Sequence, residues 1–251
     1  MSTAKQVDNG RLMRGGRITA GSQRRARSEQ TELNLLRAAT WLFSERGFHG
    51  TGIRDIADAA GAAVSALYYY ASSKDELLLA VMRRSLGMLV SGGEEAIRDR
   101  TDPAERLAAL ITVHVVFHAR NPRAARVTDG EVRALSGKDR TDILRHRDAY
   151  EAVWTATLRA GVADGSFVDR GDVARLALLE MLNGVAHWYR PRGQLSVPQL
   201  CERFADMGLA LMGASRHGRT LTAADVRLPD TQMLLDRVEL AIEPRRKPPG
   251  L

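Results

Sequence analysis

The sequence predicts an all-α chain in two parts, a three-helix helix-turn-helix domain followed by a helical bundle. Three observations predict it. Apolar side chains return every three or four residues through most of the 251 residues, the period of a helix with one buried face. Residues 51–74, TGIRDIADAAGAAVSALYYYASSK, read as two short helices joined by a glycine turn. No internal repeat and no convincing strand interrupts the pattern.

Residues 1–27 carry Lys5, Arg11, Arg14, Arg17, Arg24, Arg25 and Arg27 against one acid, Asp8. A polar, glycine-rich segment of this kind cannot bury a core and is expected to be a disordered basic arm. Disorder in the free chain does not prevent it from following a phosphate backbone or minor groove once DNA is bound. The next helix runs to Arg46-Gly47-Phe48, and its Leu33, Leu36, Trp41 and Phe43 are expected to cover the two short helices. In the first of these, Ile53, Ile56 and Ala57 share one face while Arg54, Asp55 and Asp58 point out. Gly61 breaks it because glycine takes the left-handed conformation a tight turn needs. The second starts near Ala63, with Val64, Leu67 and Tyr68 available to pack back. The second helix of such a unit enters a DNA major groove.

These residues resemble the TetR family of bacterial transcriptional regulators. The resemblance rests on Ala39, Leu42, Phe43, Gly47 and Phe48, on the run from Ile53 to Gly61, and on Leu67, Tyr68, Tyr70, Ser73, Lys74 and Leu77. It covers about residues 29–89, within a DNA-binding domain drawn at 28–89. At the start of the first short helix the family usually has Ser or Thr where this chain has Gly52. A phosphate contact there is expected from the backbone or from Thr51. Arg54 suits a guanine edge or a phosphate. Where relatives commonly show Ser-Lys-Gly-Thr, this chain has Ala63, Val64, Ser65 and Ala66. Base contact is thereby reduced to Ala63, Val64, Ser65, Tyr68 and Tyr69, groups that meet thymine methyls better than they read bases in bidentate fashion. Of Tyr68 and Tyr70, the resemblance implies one phosphate contact and one packing role, without saying which is which. Ser72-Ser73-Lys74-Asp75 opens a further helix. Lys74, unfavourable for the helix dipole in its first turn, is expected to face a phosphate.

The bundle, drawn at 90–213, follows in order. A helix over 74–98 buries Leu77, Leu78, Val81, Met82, Leu86 and Leu89. Asp102-Pro103 caps the next, with Leu107, Leu110, Ile111, His114 and Phe117 or His118 at helical spacing until Asn121-Pro122. Residues 141–161 carry Ile143, Leu144, Arg147, Tyr150, Trp154 and Leu158 on one side. Residues 172–190 are apolar almost all round, as in a helix buried on several sides. Ser196-Val197-Pro198 opens a last helix over 196–213, and 214–251 read as a mobile tail with one short helix near 233–242.

In the family such a bundle dimerises through its last two helices and holds a small effector. The resemblance therefore implies a homodimer through 172–190 and 196–213, where Gly184, Ala186, Gly208, Ala210 and Gly213 would let backbones approach. Packing within one subunit is the alternative for those small residues. Glu131–Ser136, Arg147 with Tyr150, Gly161-Gly165-Phe167 and Trp188–Ser196 resemble TetR-type regulators of fatty-acid and sterol catabolism, KstR-type relatives among them. Their typical effectors are acyl-CoA thioesters, although the same motifs can record bundle geometry alone. Candidate ligand-binding residues are His114, His118, Arg147, Tyr150, Trp154, Asn183 and His187. Glu180, Asn183 and His187 make a polar stripe that either bonds within the core or meets a ligand. His114 and His118, four apart, lack a third partner for a metal site, and no metal or cofactor is expected.

A formal charge of +7 and a pI of about 10.0 favour a polyanionic partner without separating DNA from RNA or a membrane surface. The single Cys201 excludes intramolecular disulfides and thiolate clusters, which suits a cytoplasmic protein. No apolar run approaches the ~20 residues that span a bilayer, and no apolar segment follows the basic start as in a secretory signal. No phosphate loop, nucleophile elbow or metal motif points to catalysis. The sequence thus predicts a dimeric transcriptional repressor that binds a palindromic operator and is released by a small hydrophobic effector. The alternatives are a constitutive DNA-binding protein and, more remotely, a helical enzyme.

Overall fold

The computed structural model describes residues 20–238, 241–248 and 250. Helix α1 (Ala20–Arg46) packs on the short pair α2 (Ile53–Ala60) and α3 (Val64–Tyr70). Helix α4 (Lys74–Ile97) leads into α5 (Pro103–Arg120), α6 (Pro122–Gly130), α7 (Gly137–Ala163), α8 (Gly171–Asn183), α9 (Val185–Trp188) and α10 (Val197–Leu211). The start of α1 corrects the arm boundary, since Arg24, Arg25 and Arg27 are already helical; residues 1–19 lie outside the described part.

Helix starts follow the sequence closely. Ser73 Oγ accepts from the Glu76 amide at 3.2 Å, and the Glu76 carboxylate accepts from the Ser72 amide at 2.7 Å. Asp102 accepts from the amides of Ala104 and Glu105, with Pro103 in the first turn where its missing N–H costs nothing. Ser196 and Gln199 form the same reciprocal cap on α10.

The bundle is assembled around α5, which is buried without interruption from Leu107 to Ala119 and touches α4, α7, α8, α10 and a later helix. Close approach rests on missing side chains. A Cβ on Gly208 would lie 2.3 Å from Ile111 Cδ1, and one on Gly161 would lie 2.1 Å from the Phe167 ring. Gly208 and Ala186 are therefore occupied inside the chain, the alternative the sequence left open for the small residues.

Several elements differ from expectation. The helix over 172–190 is two helices, α8 and α9, because the α-pattern lapses at Gly184; Arg126 reaches the nearby Ala186 carbonyl at 3.0 Å. Asn121-Pro122 not only ends α5 but also opens α6, with Pro122 at its first turn. Leu144, expected inside, is exposed. Trp41 does not cover the short helices; its ring lies under the Arg123 guanidinium at 3.9 Å.

The expected mobile tail is folded. A two-residue antiparallel ribbon, β1 (Ser215–Arg216) with β2 (Arg219–Thr220), precedes α11 (Thr231–Arg237), which packs on α5. Leu221, Leu234, Val238 and Ile242 are buried, and Asn121 Nδ2 donates to the Val238 carbonyl at 2.8 Å. The Glu243 carboxylate accepts from the Ala124 amide at 2.9 Å and the Arg123 amide at 3.3 Å, at the start of α6. Burial pushes this carboxyl up to about 7, against the pull of those amides and of Arg123 and Arg126. Among the described residues no helix is long and apolar enough to cross a membrane.

Burying several aliphatic side chains contributes about 1.5–3 kcal/mol each at most. Ending the chain after Gly213 should therefore lower the melting temperature by about 5 °C or more, at the few degrees per kcal/mol of a chain this size. An unchanged melting temperature in calorimetry would show that the segment adds nothing.

Candidate nucleic-acid interface and polar core

The α2–α3 turn is built as the sequence requires. Gly61 has φ +65°, and the Gly61 and Ala62 amides return to the carbonyls of Asp58 and Ala57 at 3.0 and 2.9 Å. Ile56, Ala57, Ala59 and Leu67 are buried against α1. Outside stand Gly52, Arg54, Ala63, Ser65, Tyr68 and Tyr69, with Val64 half-buried. Tyr69 is 80 % exposed and Tyr68 53 %, so Tyr68 does not pack back as expected. Tyr70 takes that role: its hydroxyl lies 2.9 Å from Ser28 Oγ and ties the end of α3 to α1. The same contact brings the basic first turns of α1, with exposed Arg24, Arg25 and Arg27, beside the reader.

Two expected phosphate ligands are used internally. Lys74 Nζ donates to the carbonyls of Phe48 and Thr51, both at 2.7 Å, and sits 4.2 Å above the Phe48 ring. It clamps the turn between α1 and α2, which explains a lysine in the wrong place for the helix dipole. Thr51 is 1 % exposed, and its hydroxyl donates to the Gly47 carbonyl at 2.8 Å. At the α2 start the Gly52 amide donates to Asp55 Oδ2 at 2.9 Å. The Phe48 amide donates across the domain boundary to Glu131 Oε1 at 3.2 Å.

Within the bundle, five of the seven candidate ligand residues meet. His114 Nε2–H donates to Asn183 Oδ1 at 3.1 Å, which leaves Nδ1 to accept from the Tyr150 hydroxyl at 2.9 Å. The His118 ring stacks on His114 at 4.0 Å, donates Nδ1–H to the His114 carbonyl, and turns Nε2 toward Asp129 at 3.4 Å. Trp154 closes the cluster edge-on to His114 and Tyr150. Burial holds the His114 imidazole well below its usual range, helped by the neighbouring His118 and opposed by Asn183. Burial likewise raises the Tyr150 phenol. His114 is thus neutral, as the hydrogen-bond pattern needs. Arg147 is only half-buried and His187 is exposed. His187 leaves the stripe because the chain turns at Gly184 between it and Asn183. Asp129, which completes the cluster, was not predicted; its helix α6 has a weak apolar pattern between Pro122 and Gly130.

Replacing Lys74 by Ala removes two charge-assisted hydrogen bonds, about 1.5–3 kcal/mol each at most. The variant should melt several degrees lower and bind DNA more weakly, with the slope of log affinity against log salt unchanged. A slope one unit smaller at constant melting temperature would return Lys74 to the phosphates.

Residues 35–81 match the family described as bacterial regulatory proteins, tetR family, and residues 100–212 match the tetracyclin repressor-like C-terminal domain. The HTH-type transcriptional repressor KstR2 of Rhodococcus jostii is 31 % identical over 180 residues, 70 % of this chain and 87 % of that protein. The solved ketosteroid transcriptional regulator KstR2 of Mycobacterium tuberculosis is 25 % identical, with a TM-score of 0.66 over 73 % of this chain and 94 % of that one. AibR, solved in complex with isovaleryl coenzyme A and operator DNA, shares the fold at 23 % identity, with a TM-score of 0.64 over 70 % of this chain and 97 % of that one. A helix-turn-helix with an αL glycine turn joined to a helical bundle, matched across both parts, places the chain in the TetR family of transcriptional regulators.

Proposed function

We propose that the chain is a dimeric repressor that grips an inverted-repeat operator and releases it when a small hydrophobic effector, of the acyl-CoA thioester class, enters the bundle. The observation that carries this reading is the position of α6 between polar core and reader. Its Asp129 faces His118, while its Arg123 and Arg126 approach Glu45 of α1 at 3.6 and 3.8 Å. Glu131, just beyond α6, holds the Phe48 amide in the turn that Lys74 also clamps. An effector that parts His114, Tyr150 and Asn183 changes the seat of His118, and with it the seat of α6 and of that turn. Release follows only if the effector binds the parted arrangement better than the closed one. Beside α4, whose Lys74 clamps the same turn, α6 supplies a second contact to the helix-turn-helix domain.

The thioester class is supported by the resemblance of the bundle motifs to regulators of fatty-acid and sterol catabolism; AibR, which shares the fold, was solved with isovaleryl coenzyme A. Arg54, Ser65, Tyr68 and Tyr69 are the proposed operator contacts; the Gly52 amide, expected to meet a phosphate, is taken by Asp55 instead. Removing both ionic links between α6 and α1 with Arg123→Ala and Arg126→Ala together should leave operator affinity within a few-fold. It should cut the effector-induced loss of affinity by about 2- to 30-fold, the range of a 0.5–2 kcal/mol coupling change. Gel-shift titrations with a series of acyl-CoA chain lengths read both. Unaltered release by every thioester that releases the wild type would remove α6 from the path. Release by none of them would favour a constitutive DNA-binding protein.

Dimerisation is proposed through α8 and α10. Val173, Leu176 and Met207 are 72, 50 and 44 % exposed there, large apolar groups that a second copy would cover. Two readers so joined suit half-sites about 34 Å apart. Val173→Glu with Leu176→Glu should yield a monomer in light scattering and weaken operator binding at least tenfold. A double variant that stays dimeric would move the interface elsewhere.

A further inference from the structure

The two helices that read DNA are poor in positive charge. Helix α2 carries Arg54 against Asp55 and Asp58, and α3 has neither lysine nor arginine. One positive charge against two negative charges is a net of −1, unsuited to a polyanion. The deficit has to be met from outside α2 and α3.

The folded segment after α11 comes to the reader from the bundle. The Ala241 carbonyl accepts from Arg37 Nε of α1 at 2.8 Å. Glu243, 8 % exposed, anchors the chain on the α6 amides. The chain then passes over a groove of about 430 Å³ between itself and α1 and α2, bordered by Asn34, Ala38 and Ala59. At Gly250 it lies so close to α2 that a Cβ would come within 2.2 Å of the Asp58 carbonyl oxygen. Between these anchors Arg246 and Lys247 are exposed, beside the end of α2 that leads through Gly61 into the start of α3. The start of a recognition helix is the end that meets base edges.

We propose that residues 241–248 form a strap that carries Arg246 and Lys247 to the phosphates of duplex DNA beside the helix-turn-helix. The proline on either side of the run, Pro244 and Pro248, stiffens it, so little ordering entropy is lost when DNA arrives. The family match ends at residue 212, so the strap lies outside the matched region. It rests on the reading of the chain as a DNA-binding regulator but not on the operator or effector proposed for it.

The test is Arg246→Gln with Lys247→Gln in the full chain, measured on an inverted-repeat duplex and on random duplex from low to moderate salt. Each lost phosphate contact removes about 0.9 from the slope of log affinity against log salt. Two per subunit should therefore lower the slope by about two to four per dimer on both duplexes, with the ratio between them little changed. The charge-keeping Arg246→Lys with Lys247→Arg should retain the slope. Glu243→Ala, which frees the strap from α6, should lose part of it while the two cations remain. Unchanged slopes on both duplexes would overturn the strap and leave the regulator reading intact. Tighter binding by the neutralised variant would also overturn it, since the strap would then be a shield. A slope that falls on random duplex, in a chain that prefers no inverted repeat, would uphold the strap and sink the repressor reading.

Discussion

The bundle exists to bury α5 on every side. A helix sunk this way can carry polar groups only if each finds a partner inside, because an unpaired buried group costs as much as several good contacts provide. Thr112 satisfies itself on the Ala108 carbonyl, but His114 and His118 must be served by other helices. Tyr150 comes from α7, Asn183 from α8 and Asp129 from α6. One helix therefore decides which faces of three others point inward.

The connection to the DNA-binding half is equally specific. The turn between α1 and α2 is held from two directions, by Lys74 at the head of α4 and by Glu131 at the end of α6. Both holds are hydrogen bonds to backbone, so they fix the position of the chain and not merely of a side chain. Around them Arg123 lies on the Trp41 ring and near Glu45, which seats α6 on α1 through contacts that are part apolar and part ionic. Such an interface has few alternative seats, so α6 is held in one position on α1.

The segment beyond α10 extends this pattern. Glu243 completes the start of α6, Val238 is fixed by Asn121 at the end of α5, and Ala241 is held by Arg37 of α1. The tail thus touches the end of α5, then α1, then the start of α6. It is held by polar contacts to backbone at its ends and by buried Leu234, Val238 and Ile242 between them.

The sequence by itself determined the class of the fold, the helix-turn-helix, most helix caps and the family. These depend on contacts within a few residues: an αL glycine, a Ser or Asp at a helix start, an apolar spacing of three and four. His114, His118, Tyr150, Trp154 and Asn183, grouped in the sequence as candidate ligand residues, do lie side by side in the fold, because helical spacing turns them inward. Tertiary structure decided the rest. Lys74 and Thr51 were legible as polar residues near DNA, yet their partners, the carbonyls of Phe48, Thr51 and Gly47, are backbone groups that carry no sequence signal. Arg147 and His187 shared the spacing of the core residues but not its geometry, since the break at Gly184 turned His187 outward. Helix α6 and the tail outside its one short helix, expected near 233–242 and found at Thr231–Arg237, have too few apolar residues to announce themselves. They fold because α5 offers a surface, its C-cap Asn121 a side-chain donor for the Val238 carbonyl, and the open start of α6 two amides for Glu243, a condition that exists only once the rest of the chain is in place.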